Sequence, residues 1–271
     1  MAEETDVPDP ESSLLAFFGS ELRRVRAEAG MSQGQVAKEA HSTQAMISYV
    51  ELARRVPTAQ LAADLDRVFH TGGHFQRLHP LVLRYAYPPW FLPFIQIEGD
   101  ASGIRSFQTQ VIHGLLQTES YARAMLTAVR PDNLEDLIAA RMSRQAIFDR
   151  DDPPRAWFVI DEQVLRRRIG GPEVMRDQLQ RLLTAGMDPR TVIQVLPERV
   201  AAHPGLAGPF TILTTPEVPD ALYVDGFSQG RMGLDPAEVA VAVHAYDLLR
   251  AVSLSPDESA ELIGGYLEGL R

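Results

Sequence analysis

The side chains in this chain that are best placed for chemistry are short and polar: Thr43, Gln44, Ala45 and Ser48. The Gln44 amide can pair bidentately with adenine, worth about 1–3 kcal/mol of discrimination, and Ala45 can meet a thymine methyl. Gathered at the start of a helix, they have what major-groove readout of duplex DNA needs. Gln33, at the start of a preceding helix, is expected to bind phosphate with help from the helix dipole. Arg54 and Arg55 follow in a loop where a phosphate contact is geometrically natural. Other chemistry is weakly represented. Gly226-Phe227-Ser228-Gln229-Gly230 fits the G-x-S-x-G pattern of a hydrolase, but that elbow must lead directly into a helix. Here Gly233 and Pro236 delay the next helix, so a glycine-rich hairpin turn is expected. His70 and His74 have metal spacing only on an unbroken helix, and Gly72-Gly73 lies between them, so they and His79 read as scattered surface histidines. Asp161 and Glu162 are adjacent at a strand end and point apart, and Glu162 is expected to order Arg166 or Arg167. There is no cysteine, which excludes a thiolate zinc site and a cysteine nucleophile. The expectation is a protein without enzymatic activity, cofactor or metal.

Two short helices must position the DNA-facing residues. Ser32 with Gln35 makes a capping box for a helix from about Gln33 to Ala40. Ser42 and Thr43 cap a second, the recognition helix, from about Gln44 to Leu52. Val36, Ala37, Ala40, Ile47 and Val50 fall at helical spacing on the inner face. The competing reading is a helical hairpin with no role on DNA. Gly30-Met31-Ser32-Gln33, Val36-Ala37, Ile47-Ser48, Glu51 and Arg55-x-Pro57 resemble the helix-turn-helix of the Xre family of prokaryotic repressors, related to the lambda and 434 repressors. His41 and Ala53 depart from that pattern, standing where the family often has glycine; histidine tolerates the left-handed region at some strain.

The rest of the chain frames this motif. Residues Met1 to Ser12 are acidic and proline-broken and are expected to be disordered. A helix from about Ser13 to Ala29 carries Leu15, Phe18, Leu22 and Val25, with Gly30 as its C′ residue. Arg23, Arg24 and Arg26 lie off that stripe, available to phosphates or to Glu51. Pro57 suits the first turn of a helix over about Thr58 to His70. The expected domains are a helix-turn-helix domain over 13–71, a helical connector over 72–103 and an α+β domain over 104–271. Tyr85, Tyr87, Trp90 and Phe91 are candidates for an interdomain ligand pocket or an apolar hinge. Strands are expected at Ile104 to Ile112, Trp157 to Asp161, Val192 to Leu196, Phe210 to Thr214 and Leu222 to Val224. Helices are expected at Phe91 to Ala101, Glu119 to Ala128, Leu134 to Arg150, Pro172 to Ala185, Pro236 to Val252 and Pro256 to Leu270. The fold class is a mainly α, lambda-repressor-like domain followed by an α+β domain with a small, mixed or antiparallel sheet.

A net charge of -10 argues against nonspecific coating of nucleic acid. From Gly19 to His70, however, 7 basic residues face 6 acidic ones, so the motif region is near neutral. No apolar run is long enough for a membrane span. A cytoplasmic protein is expected, associated with the nucleoid when bound to DNA. One helix-turn-helix buries too little surface for tight specific binding, so a homodimer on a double-stranded, near-palindromic operator is expected, with half-sites about 10 bp or a multiple apart.

Phe107-Gln108-x-x-Val111-Ile112-x-Gly114-Leu115-Leu116-Gln117-Thr118-Glu119-x-Tyr121-Ala122-Arg123-Ala124, Arg141-x-x-Arg144-Gln145, Gly170-Gly171-Pro172 and Gln194-Val195-Leu196-Pro197 resemble a domain appended to many actinobacterial Xre regulators. His113 departs from the usual proline. The resemblance implies a WhiJ-like transcriptional regulator. Such genes often neighbour one for a small partner protein, in a pairing likened to an antitoxin and its toxin. The alternative reading is therefore an antitoxin-like interaction protein, whose C-terminal domain binds that small partner while DNA binding serves autoregulation.

Overall fold

The computed structural model describes residues 7–217 and 219–270. The chain forms two compact units, one of residues up to 89 together with 130–143, the other of residues 90–129 and 144 onward. The expectation of disorder for residues 1–6 lies outside the described residues. Residues 9–12 form a turn instead, in which the Glu11 amide donates to the Asp9 carboxylate (3.0 Å) and the Ser12 amide to the Asp9 carbonyl (2.9 Å).

The first unit is helical. Helix α1 (Leu14–Glu28) is capped by Ser13, and α2 (Gln33–Glu39) has the expected capping box of Ser32 and Gln35. Helix α3 (Gln44–Glu51) is capped by Thr43. Leu15, Phe18, Leu22, Val36, Ile47 and Val50 are fully buried. Gly19 lets α1 cross α3 closely, since a methyl there would lie 2.5 Å from the Val50 carbonyl oxygen. Helix α4 (Ala59–Phe69) begins later than expected, because Thr58 is its N-cap and Pro57 precedes the cap.

Residues 72–103 do not form one connector. Helix α5 (His74–Ala86) stays with the first unit, and α6 (Leu92–Asp100) belongs to the second. Asp66 is the reason α5 stays. Gly73 offers α5 no side-chain cap. The buried Asp66 carboxylate of α4 instead accepts from the amides of Phe75 (3.0 Å) and Gln76 (2.9 Å) and from the Thr71 hydroxyl. Phe75 then packs on Phe18 at 5.1 Å between ring centroids. Burial pushes the Asp66 carboxyl up, but these donors outweigh it and hold its pKa below the ordinary value. Its contribution to stability is therefore complete above the unfolded pKa of about 3.9 and is lost as pH falls through the lower folded value. Asp66→Asn is expected to cost about 1–3 kcal/mol at pH 7. In urea unfolding the deficit should shrink toward pH 3; an undiminished deficit there would contradict the assignment.

Helix α8 (Leu134–Ser143) also packs in the first unit. The Ser13 hydroxyl donates to Asp136 (2.8 Å), the Tyr87 hydroxyl to the Ala140 carbonyl (2.7 Å), and the Val56 amide to the Ser143 hydroxyl (2.6 Å). The expected helix over Leu134 to Arg150 therefore breaks at Ser143, and Arg144–Asp149 is a 3₁₀ segment of the second unit.

The second unit is α+β. Its sheet comprises β1 (Gly103–Gln108), β2 (Arg155–Asp161), β3 (Thr191–Leu196), β4 (Phe210–Thr214), β5 (Ala221–Val224) and β6 (Arg231–Gly233), in the order β3-β2-β1-β4-β5-β6. Strands β1, β2 and β3 are parallel, and β4, β5 and β6 continue antiparallel. One face packs Ile104, Phe158, Ile193 and Leu213 with Leu179 of α10 (Pro172–Ala185) and Ile263 of α12 (Pro256–Glu268). The other packs Phe107, Val159 and Ile212 with Val239, Tyr246 and Leu249 of α11 (Pro236–Val252). Two short helices complete the unit, α7 (Glu119–Thr127) and α9 (Glu162–Arg166). The expected strand to Ile112 stops at Gln108, since Gly114–Leu116 is a 3₁₀ turn.

Candidate nucleic-acid interface

Glu51 is the centre from which the helix-turn-helix is built. It lies at the end of α3 and is 3% exposed. Arg26 of α1 grips both carboxylate oxygens, through Nε to Oε1 and through Nη2 to Oε2 at 3.0 Å. The same guanidinium reaches the Met31 carbonyl with Nη1 (3.0 Å), and Arg23 donates to the Glu51 carbonyl (3.1 Å). Gln33 of α2 donates its amide to Glu51 Oε2 at 2.8 Å. One carboxylate thus ties α1, α2 and α3 together. Arg23 and Arg26 serve this scaffold, and Arg24 bonds Glu21 and Glu28 at 2.9 Å.

The ends of α2 and α3 use one device. The Ser42 amide donates back to Ala37 and the Arg54 amide back to Tyr49, both at 2.8 Å, across left-handed residues His41 (φ 49°) and Ala53 (φ 55°). These are the two positions where glycine was missing from the sequence pattern. The backbone shape is retained at the cost of strain in a non-glycine residue.

With the scaffold fixed, Thr43, Gln44 and Ala45 are exposed at the start of α3, and Ser48 is half-buried one turn on. Thr43 has a structural task as well, because its hydroxyl oxygen accepts the Met46 amide at 3.1 Å, which leaves the hydroxyl hydrogen for a ligand. A methyl on Gly34 would lie 3.8 Å from the Gln44 amide oxygen, so the starts of α2 and α3 share one surface. Gln33 sits there too, but its side-chain amide is engaged by Glu51. What it offers outward is the backbone N–H of a helix's first turn, which has no intrahelical acceptor. Arg54 is exposed. The Arg55 guanidinium stacks over the Tyr49 ring at 4.9 Å and donates to the Arg54 carbonyl at 2.7 Å. Tyr49, 39% exposed, is a member of this face that the sequence reading missed. Its spacing from Ala45 (i, i+4) was the signal available.

The comparisons with known proteins divide the chain near residue 90, although the second match also takes in residues 130–143, which pack with the first unit. Residues 18–77 match the model of a helix-turn-helix domain, the DNA-binding module of transcription regulators. Residues 91–265, more than half of the chain, match the model described as a domain of unknown function, DUF5753. The chain belongs to the DUF5753 family. No curated protein and no solved structure matches it.

The remaining candidates are dispersed over both units. Ser228 is exposed in the loop joining β5 to β6, and the chain continues from it into a strand rather than a helix. Asp161 is the last residue of β2, beside Glu162 as expected, and also caps α9 by accepting from the Gln163 amide (2.9 Å). Glu162 accepts from Arg166 as expected (3.1 Å), and also from the Tyr266 hydroxyl (2.6 Å) and the Glu198 amide (2.8 Å). The three histidines have separate roles in the first unit: His70 is the left-handed C-cap of α4, His74 meets Glu21 at 3.1 Å, and the buried His79 meets the Pro57 carbonyl at 3.0 Å. Tyr85 and Tyr87 belong to the first unit, Trp90 and Phe91 to the second. Among the described residues, no helix is long and apolar enough to cross a membrane.

Proposed function

We propose that this protein is a sequence-specific transcriptional regulator of the Xre, WhiJ-like type, acting without enzymatic chemistry as a homodimer at the nucleoid in the cytoplasm. Helix α3 enters the major groove. Gln44 reads a base edge, Thr43, Ala45 and Ser48 flank it, and Gln33, Arg54 and Arg55 hold phosphates. The observation that carries the reading is the exposed Thr43-Gln44-Ala45 surface on a scaffold whose three helices are joined at Glu51. A face of short hydrogen-bonding side chains on a rigid frame is what direct readout requires.

The test is fluorescence anisotropy of the full chain on the DNA upstream of its own gene and on random DNA, at two salt concentrations. Gln44→Ala is expected to weaken binding to the upstream DNA by about 1–3 kcal/mol, roughly 5- to 150-fold, and to leave random DNA unaffected. Arg54→Ala should weaken both and reduce the salt slope by about one phosphate contact. Equal affinity for both DNAs, indifferent to Gln44, would overturn the reading.

A further inference from the structure

Helix α11 has two apolar faces, and the sheet uses only one of them. Val239, Ala242, Tyr246 and Leu249 are buried against the strands. On the opposite side, Val241 is 71%, Leu248 45% and Val252 43% exposed. Ala240, His244 and Ala251 complete that outer face and are exposed too. The outer positions 241, 244, 248 and 251 follow the 3-4-3 spacing of a helix–helix seam. A helix that is apolar all round is normally covered on both sides. Solvent-facing helices place charge here, yet α11 has only Glu238, Asp247 and Arg250 in its 17 residues.

We infer that this outer face of α11 is the homodimer interface, on which a second copy of the chain docks its own α11 antiparallel about a two-fold axis beside residue 246. The inference rests on the regulator reading for its two-fold symmetry and gives that dimer a location. Three arguments favour a second copy. The first is complementarity of the polar groups. In this register His244 of each copy lies beside Asp247 of the other, a carboxylate that among the described residues of its own chain meets only the exposed Arg250, at 3.4 Å, so an imidazole N–H can meet a carboxylate twice in an otherwise aliphatic seam. The second is shape. Leu248 and Val252 of one copy fall against Ala240 and His244 of the other. There a groove of about 480 Å³ runs alongside α11, walled by Asp220, Pro236 and Val243. The third is size. A 17-residue helix is about 25 Å long, and an antiparallel pair of that length buries on the order of 1,000 Å², the lower bound for a specific interface.

The experiment is sedimentation equilibrium of the full-length chain at micromolar concentration, with Val241→Glu and Leu248→Glu as variants. Both positions are exposed, so the variants should keep the wild-type circular dichroism and melting profile. Wild type is expected at twice the 30.0 kDa chain mass and the variants at the single mass. A monomeric wild type, or a Leu248→Glu protein that remains dimeric, overturns the inference whatever the DNA result. The register is tested separately, since the chain has no cysteine of its own. Oxidising an equimolar mixture of His244→Cys and Leu248→Cys proteins should give a disulfide-linked dimer containing one of each; no such product rules out the antiparallel register. If the masses behave as expected but wild type binds upstream and random DNA equally, the α11 interface stands and the regulator reading falls.

Discussion

Arg144→Ala should be among the most destabilising single substitutions in the DUF5753 unit, costing about 3–5 kcal/mol. Arg144 forms a two-pronged ion pair with Glu98, Nε to Oε2 and Nη2 to Oε1, both at 2.7 Å. The two side chains are only 7% and 3% exposed. The guanidinium also lies 5.4 Å from the ring centroids of Phe91 and of Phe94, which exclude water from one side. Removing the cation leaves a buried carboxylate with no charge partner, and that desolvation cost dominates the loss. It follows that deleting both charges should be cheaper than deleting one. Arg144→Met combined with Glu98→Leu should recover most of the stability lost in Arg144→Ala. Urea unfolding followed by tryptophan fluorescence reads this directly. A double variant no more stable than the single would mean that packing, and not the unpaired charge, sets the cost.

The same ion pair shows where sequence reading ends. Residues 134–150 have continuous helical character, and nothing local marks residue 144. The break there exists because Ser143 and Arg144 are held in different units, by the Val56 amide and by Glu98. Partners 87 and 46 residues away in sequence leave no periodic trace. Asp66 is a similar case, since an acid on α4 capping α5 looks in sequence like an ordinary surface aspartate. The helix-turn-helix, by contrast, was readable almost to the residue. Its determinants are local: Ser32 with Gln35, Thr43 as a cap, and apolar residues at helical spacing. Even His41 and Ala53 stood out in the sequence as missing glycines, and both adopt positive φ. In the α+β unit the strands were legible as short apolar runs, such as Trp157 to Ile160. Their order was not, because strands buried on both faces have no alternation to report which neighbours they take. The exposure of Thr43, Gln44 and Ala45 at the start of α3 was legible from their type and position. The task of Gln33 was not, because the acceptor of its side-chain amide, Glu51, lies 18 residues on.

Glu51→Ala should damage stability and DNA binding together, and so separate scaffold from contact. The carboxylate accepts from Arg26 and Gln33 while 3% exposed, so its loss is expected to cost about 2–4 kcal/mol. The Arg26 side chain is 19% exposed, and water reaching it keeps the cost below that of the Arg144 pair. Glu51 touches α1 and α2 from the far end of α3, away from the Gln44 surface, so a loss of affinity in this variant arises from misplaced helices. The expected pattern is at least a tenfold loss of affinity for upstream DNA at a temperature where the variant remains folded. Gln44→Ala should instead reduce affinity with the melting temperature unchanged. Gly19→Leu would force α1 from α3 by another route, since even a methyl there meets the Val50 carbonyl. It should therefore resemble Glu51→Ala and not Gln44→Ala. If Glu51→Ala lowered the melting temperature but left affinity intact, the three-helix tie would be a stability device only, and the reading surface would hold its shape without it.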